Sequence, residues 1–417
     1  MLVSELPASG LIGGCGLIAG CISRPDASID APPEPLISLA SLAQRSEDAI
    51  FLLDENLRPA FNESLASLWP EFAAKESTLI VLVPQRPAPK TDPHVGKPVA
   101  SFLCSSDLFR QYLALGIDTS PEALCFALLE SIANHVLQVD RLLVRSLPHT
   151  RIPAAPPNLP PIAVLMPHRG EPRHLEAALP YLRRAGGERL HIRVGLDVED
   201  ASAYQHLAVR HPSAEFFRFH PPPVGPYVIR QALAERSSEP WLSLQDSDDI
   251  SCHDRFASLL RAMCASGCGI TGSQELCLDE MRRIVFPVRY PLNPSATLAE
   301  RPSHALLHAS LMARRGAFFE SGGLSTHYII ANDTQFLLRL FFSTEIRNVD
   351  EFLYIRRRHA ASLTNAPETV HDNPLRRRLS AEWCADFDAV KRGQLKLEHS
   401  SLRPIRRSEP YVMARLA

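Results

Sequence analysis

The chain has 417 residues, 45 % of them hydrophobic and 22 % charged, with a formal net charge of −2. That is globular material long enough for two domains, and the balanced charge excludes the basic surface that grips nucleic acid through its phosphates. No apolar run approaches the roughly 20 residues needed to span a bilayer, and the nine cysteines lack the paired spacing of a zinc site and read as reduced, packed thiols.

Near the start, Leu11–Cys21 (LIGGCGLIAGC) ends like a bacterial lipoprotein cleavage box. The ten residues before it hold Glu5 and no Lys or Arg, and three glycines break the apolar stretch, so the features of an export signal are poor. The chain therefore reads as cytoplasmic, with peripheral attachment at the inner membrane as the only membrane role left open. Its first forty or so residues read as flexible. Ala49–Asp54 and Thr78–Val83 read as strands, and Pro121–Leu147 as a long amphipathic helix or helix pair. Residues 50–69 resemble the opening of PAS-type sensor domains, too short a stretch to give this half a function. Residues 1–146 thus form a smaller α/β unit without visible chemistry, suited to docking or to a homo-oligomer contact. Residues 147–161 are proline-rich and read as an extended linker.

After the linker, strand and helix alternate. Ile162–Met166 is a strand, Glu171–Ala185 a helix, Leu190–Leu196 a strand, Tyr227–Arg236 a helix, Trp241–Gln245 a strand and Asp254–Ala265 a helix. Gly269–Leu278 and Arg283–Val288 read as strands, Asp333–Phe342 as a helix, and Ile346–Ile355 as the last strand. This order predicts an α/β domain over 162–365, with a mostly parallel sheet and helices on both faces. Residues 366–417 follow as a helical extension.

Ligands of such sheets bind beyond the carboxyl ends of the strands, and four features fall there. Met166 runs into Pro167, His168, Arg169 and Gly170, a sharp turn ahead of a helix start. Leu196 is followed by Asp197, Glu199 and Asp200, acceptors for a ribose or a base edge. Leu244 and Gln245 lead into Asp246, Asp248 and Asp249, three acids packed so tightly that one must rise in pKa unless a cation neutralises them. Asn332 and Asp333 open a helix after Ser321, Gly322 and Gly323. Taken singly, each has an ordinary reading as a loop, a solvated cap or a helix start.

In order and spacing, these segments resemble the family-2 glycosyltransferases, enzymes of the GT-A fold, over roughly residues 161–365. The matching pieces are MPHRG at Met166, GLDVED at Gly195, GPYVIRQ at Gly225, QDSDD at Gln245 and Asn332-Asp333. The resemblance implies that Pro167, Arg169, Asp197, Asp200, Arg230 and Asp246 bind a nucleotide-sugar donor. Asp246 and Asp248 would match the DxD that holds Mn2+ or Mg2+, and Asp333 the catalytic base. His359, in YIRRRHAASLT, would complete the metal or diphosphate site beside Arg356, Arg357 and Arg358. Two positions depart from the family: Gln231 replaces an asparagine and Asn332 a glutamate.

The resemblance implies an inverting, metal-dependent transfer of a sugar from a nucleotide-diphosphate sugar to an acceptor hydroxyl of unknown identity. Two other readings stand beside it. One is a GT-A-like protein that binds a nucleotide or sugar without catalysis. The other is a nucleotidyltransferase, for which PHRGEPR at Pro167 lacks the expected lysine.

Overall fold

The structure is a computed structural model. It describes residues 159–363, 369–370 and 373–416, and in the N-terminal part 9–11, 17–22, 49–54, 78–84, 101–105, 108–109, 111, 121–134, 136–137, 139 and 141–147. Most of the expected linker, 148–158, lies outside the described residues, as do 55–77, most of the PAS-like stretch.

The N-terminal part forms a six-stranded sheet from β1 (Ser9–Leu11), β2 (Leu17–Ile22), β3 (Ala49–Asp54), β4 (Thr78–Pro84), β5 (Ser101–Ser105) and β6 (Arg141–Leu147), in the order β1-β2-β3-β5-β4-β6. Among its described residues is the helix α1 (Pro121–Ala133). The long helix or helix pair expected over Pro121–Leu147 is therefore corrected. It ends at Ala133, and RLLVRSL pairs as a strand parallel to β4. A short apolar run suits either state, and the open edge of β4 decides it.

The second sheet has ten strands. In chain order its elements are β7 (Ile162–His168), α2 (Pro172–Gly186), β8 (Leu190–Leu196), α3 (Gln205–Arg210), β9 (Ala214–His220), α4 (Pro226–Arg236), β10 (Trp241–Leu244) and β11 (Ile250–Ser251). There follow α5 (Arg255–Ser266), β12 (Ile270–Asp279), β13 (Ile284–Val288), α6 (Pro294–Glu300), β14 (Met312–Arg314), α7 (Arg315–Glu320), α8 (Asn332–Leu340), β15 (Ile346–Arg358), α9 (Pro374–Lys391) and β16 (Val412–Arg415). The strand order is β11-β15-β12-β14-β10-β7-β8-β9-β16, with β13 on β12. The fold is α/β, as expected. Its centre, β10-β7-β8-β9, is parallel, and antiparallel pairs flank it.

Alternation along the central strands sends residues to two cores. Ile162, Val164 and Met166 of β7 pack with Leu175, Leu179 and Leu182 of α2 and with Leu259 of α5. Ala163 and Leu165 face the other way, with Ile229 and Leu233 of α4 and Phe336 of α8. Helices thus cover both faces. The C-terminal extension is not only helical: α9 buries Leu379, Trp383 and Phe387 in the second core, and β16 then pairs antiparallel with β9.

The topology locates the site. The chain proceeds outward from β7 to β8 to β9, then crosses back through α4 to lay β10 on the opposite side of β7. The carboxyl ends of β7 and β10 therefore flank a switch point, where crossovers on opposite faces leave a crevice. His168 ends one strand and Gln245 follows the other.

Candidate active site

The turn after β7 comes later than expected. Pro167 and His168 are buried in the strand, opposite Gly195 and Leu196 of β8, and the chain turns at Arg169 and Gly170. Gly170 has φ +141°, a backbone that side chains with a Cβ rarely adopt. Arg169 and Gly170, with Asp197, Val198, Glu199, Pro222 and Pro223, line an open cleft of about 360 Å³. Pro167 contributes backbone order beneath this cleft rather than a wall.

Asp197 sits at the cleft, buried, and its carboxylate accepts hydrogen bonds from the backbone amides of Val224 (2.8 Å) and Gly225 (3.0 Å). It thereby fixes the loop that starts α4, where Gly225 has φ +90°. Asp200 is placed differently from the expectation. It is exposed, accepts from the amide and hydroxyl of Ser202 (2.8 and 2.7 Å), and lies outside the cleft lining. These bonds hold its carboxyl below the usual range, so it acts as a local turn cap. Glu199, the carboxylate between the two, lines the cleft instead.

The acidic loop is built on a buried polar base. Arg255 is fully buried beneath it and donates to Gln245 Oε1 (2.5 Å), Ser251 Oγ (2.8 Å) and Leu244 O (2.7 Å), while its guanidinium lies 4.8 Å from the Tyr354 ring centroid. Tyr354 in turn accepts from the Asp246 amide (3.1 Å). His168 Nδ1 meets Ser247 Oγ at 2.8 Å and its Nε2 meets the Tyr204 hydroxyl at 3.2 Å, tying the end of β7 to the loop. Burial, aided by His174, lowers His168 to about 4, so the ring is neutral near pH 7.

Pairing of β11 with β15, Ile250 opposite Ile355, carries the acids to the end of β15. Asp248 Oδ2 lies 2.9 Å from His359 Nε2. Asp249 is buried and accepts from the Arg357 amide (2.7 Å). Asp246 forms an ion pair with Arg230 of α4. The crowding has the expected electrostatic result. Burial, then Asp248 and Asp246, push Asp249 well above the carboxylate range. Asp246 is raised by desolvation and by Asp248 against the pull of Arg230, an effect that water at its 40 % exposed side chain limits. Asp248 is lowered, because its contact with His359 outweighs burial.

The fit to a divalent ion follows from these donors. Among the described residues no three His, Cys, Asp or Glu side chains converge as a metal site, so the expected trio of Asp246, Asp248 and His359 is not assembled. Asp246 is turned to Arg230, and Asp248 with His359 remains as a pair. A pair suits Mg2+ or Mn2+ that arrives with a phosphorylated ligand, since hard cations of this kind complete their shells with phosphate and water oxygens. The three arginines before His359 are each paired with a carboxylate of the fold. Arg356 pairs with Glu275 (2.9 Å), Arg357 with Glu280, and Arg358 with Asp279 (3.3 Å), which knits β15 to β12 and the turn after it.

Asp333, at the start of α8, accepts from the Tyr227 hydroxyl (3.1 Å). Burial opposes its ionisation, but His308, His304 and Arg376 outweigh burial and hold the carboxyl below the usual range. His308 is itself lowered to about 3 by burial and Arg230. At neutral pH the pair is thus a carboxylate beside a neutral imidazole. Tyr227, raised well above 10 by burial and Asp333, stays a donor. The Asn332 side chain is buried and donates to the Tyr328 carbonyl, so the departure at this position falls on an amide turned into the helix start. Gln231 is buried too, accepting from the Leu324 amide (2.8 Å) under Gly323.

Tyr227 and Arg230 are the residues that the sequence reading left without a joint role. Three apart on α4, they share one face, and that face addresses Asp333 through Tyr227 and Asp246 through Arg230. Their spacing was the available signal. Arg255 and Tyr354 had none, because only the pairing of β11 with β15, Ser251 opposite Tyr354, makes them neighbours.

The sequence matches no protein-family model and no curated protein. Solved structures similar to this chain include residues 1–349 of S. aureus TarS in complex with UDP-GlcNAc, at 9 % identity and TM-score 0.42, covering 55 % of this chain and 73 % of that one. Another is the mannosyltransferase PcManGT from Pyrobaculum calidifontis in complex with GDP-Man and Mn2+, at 12 % identity and TM-score 0.40, covering 58 % and 67 %. No helix among the described residues is long and apolar enough to cross a membrane.

Proposed function

We propose that this chain is a glycosyltransferase of the GT-A kind, resembling family 2, that moves a sugar from a nucleotide-diphosphate sugar to an acceptor hydroxyl with inversion at the anomeric carbon. The observation that carries this reading is the single face of α4 that holds two carboxylates at the switch point, Asp246 through Arg230 and Asp333 through Tyr227. A displacement at a sugar carbon needs these two stations, one for the departing diphosphate and one for the incoming hydroxyl.

The cleft between Arg169, Asp197, Glu199 and Pro222 receives the nucleoside, with Arg169 at its exposed rim. Asp248 and His359 would hold Mn2+ or Mg2+ together with the diphosphate, and the ion, when bound, supplies positive charge that offsets the negative charge of the leaving group. Arg230 keeps Asp246 at the same edge and adds a fixed cation there. Asp333 accepts the proton of the acceptor hydroxyl as its oxygen bonds to C1. The C1–O bond to the diphosphate breaks, and its electron pair leaves with the nucleotide. Tyr227 orients Asp333 by donating to one oxygen and leaves the other for the incoming proton. The acceptor is a saccharide, lipid, peptide or small natural product.

The test is turnover of candidate nucleotide sugars with Mn2+, followed as released nucleoside diphosphate. Wild type releases nucleotide from one donor base by transfer or by slow hydrolysis, and Asp333→Asn does so far more slowly while still binding the nucleotide. Binding without any turnover in the wild type would favour the non-catalytic reading.

A further inference from the structure

The two sheets share one apolar core. Phe126, Leu129 and Ile132 of α1 pack with Leu276 and Leu278 of β12, Val285 of β13 and Phe352 of β15. The polar links across this boundary are more telling, because they land on the acidic loop or on the residues just after it. The backbone amide of Arg357 donates to Asp249 Oδ1 at 2.7 Å. Its guanidinium, nearly buried, donates to the Ala133 carbonyl (3.0 Å), to Asn134 Oδ1 and to Glu280. Past β11, the His253 amide donates to the Leu142 carbonyl of β6 (3.0 Å), and Asp254 pairs with Arg145 of β6 at 2.6 Å.

We propose that the N-terminal unit positions the acidic loop, with Arg357 as the positioning residue that links the end of α1 to Asp249. A loop with three aspartates repels itself and needs its backbone held from outside. Here the hold at 249 comes through Arg357, whose guanidinium also satisfies a carbonyl left open at the helix C-terminus. The hold at 253 and 254 comes from β6 directly. A planar fork with several donors makes this junction rigid, which an ammonium group would not. The consequence for nucleotide binding rests on the function proposed above, whereas the mechanical coupling does not.

Hydrogen exchange on the full chain tests it, comparing wild type with Asn134→Ala, Arg145→Met and Arg357→Lys, none of which changes a residue assigned to substrate. The variants are expected to speed exchange of the 246–254 amides about two- to tenfold, as expected for losing one net hydrogen bond. Exchange in α8 stays as in wild type. Unchanged exchange at 246–254, or equal acceleration in α8, would overturn the proposal, since the first denies coupling and the second reports general destabilisation. Titration of the same proteins with nucleoside diphosphates and Mn2+ forms a second arm, in which the variants lose several-fold of the metal-dependent affinity. Retained affinity despite a loosened loop would overturn the functional consequence of the coupling. If wild type binds none of the nucleotides while the exchange result holds, the positioning stands and the transferase reading falls.

Discussion

Asp248 and His359 are 111 residues apart in the chain and 2.9 Å apart in the fold. The contact exists because β11, only two residues long, pairs antiparallel with the end of β15. The acidic loop and a histidine just after β15 thus meet by strand register rather than by a local motif. Asp248→Ala is expected to abolish metal-dependent nucleotide binding, and His359→Ala to weaken it by about 10- to 100-fold, the range for lost metal-site partners. Calorimetry with and without Mn2+ checks both. Equal affinity in wild type and Asp248→Ala would count against the pair.

In the proposed reaction Asp333 carries the base role. Its replacement by Asn is expected to lower transfer by about 10²- to 10⁴-fold, the usual contribution of general-base catalysis, with little change in donor affinity. Tyr227→Phe removes only the orienting bond and is expected to cost less. Steady-state rates at saturating donor separate the two variants.

Asp197 and Asp200 are expected to diverge. Asp197→Ala unties the buried amides of Val224 and Gly225 and is expected to destabilise the fold by about 2 kcal/mol, as for hydrogen bonds to a charged group. Asp200→Ala loses an exposed cap to Ser202 and is expected to leave nucleotide affinity unchanged. Urea unfolding and nucleotide titration of both variants decide.

Stability is expected to fall in acid through His168. Its imidazole is at about 4 in the folded chain and near 6.5 when unfolded. The unfolded state therefore binds the proton more readily. The contribution is whole above about pH 6.5 and is lost as pH drops toward about 4, amounting to about 3 kcal/mol. His168→Gln should flatten this part of the urea-unfolding profile, and an identical acid slope in the variant would contradict the assignment.

The central elements were legible because their signals were local. Apolar runs such as IAVLM and LHIRVGL, each closed by turn or acidic residues, lie within a residue or two of β7 and β8. The acidic loop was visible as chemistry for the same reason. Long-range pairing was not. β9 and β16 form one antiparallel edge from segments nearly 200 residues apart in sequence, and neither was read as a strand. Arg356 to Arg358 read only as neighbours of His359 at a diphosphate site because their acidic partners, Glu275, Asp279 and Glu280, come from β12 and the turn after it. Asp200 looked like Asp197 in the sequence, and only the course of the loop before α4 separates them.

The most direct measurement is calorimetric binding of UDP, GDP, CDP and dTDP, each with and without Mn2+, to the full chain and to Asp248→Ala. The account predicts binding confined to one base, strengthened by Mn2+ in the wild type and not in the variant. Binding of no nucleotide, or binding that neither Mn2+ nor Asp248→Ala alters, would contradict it.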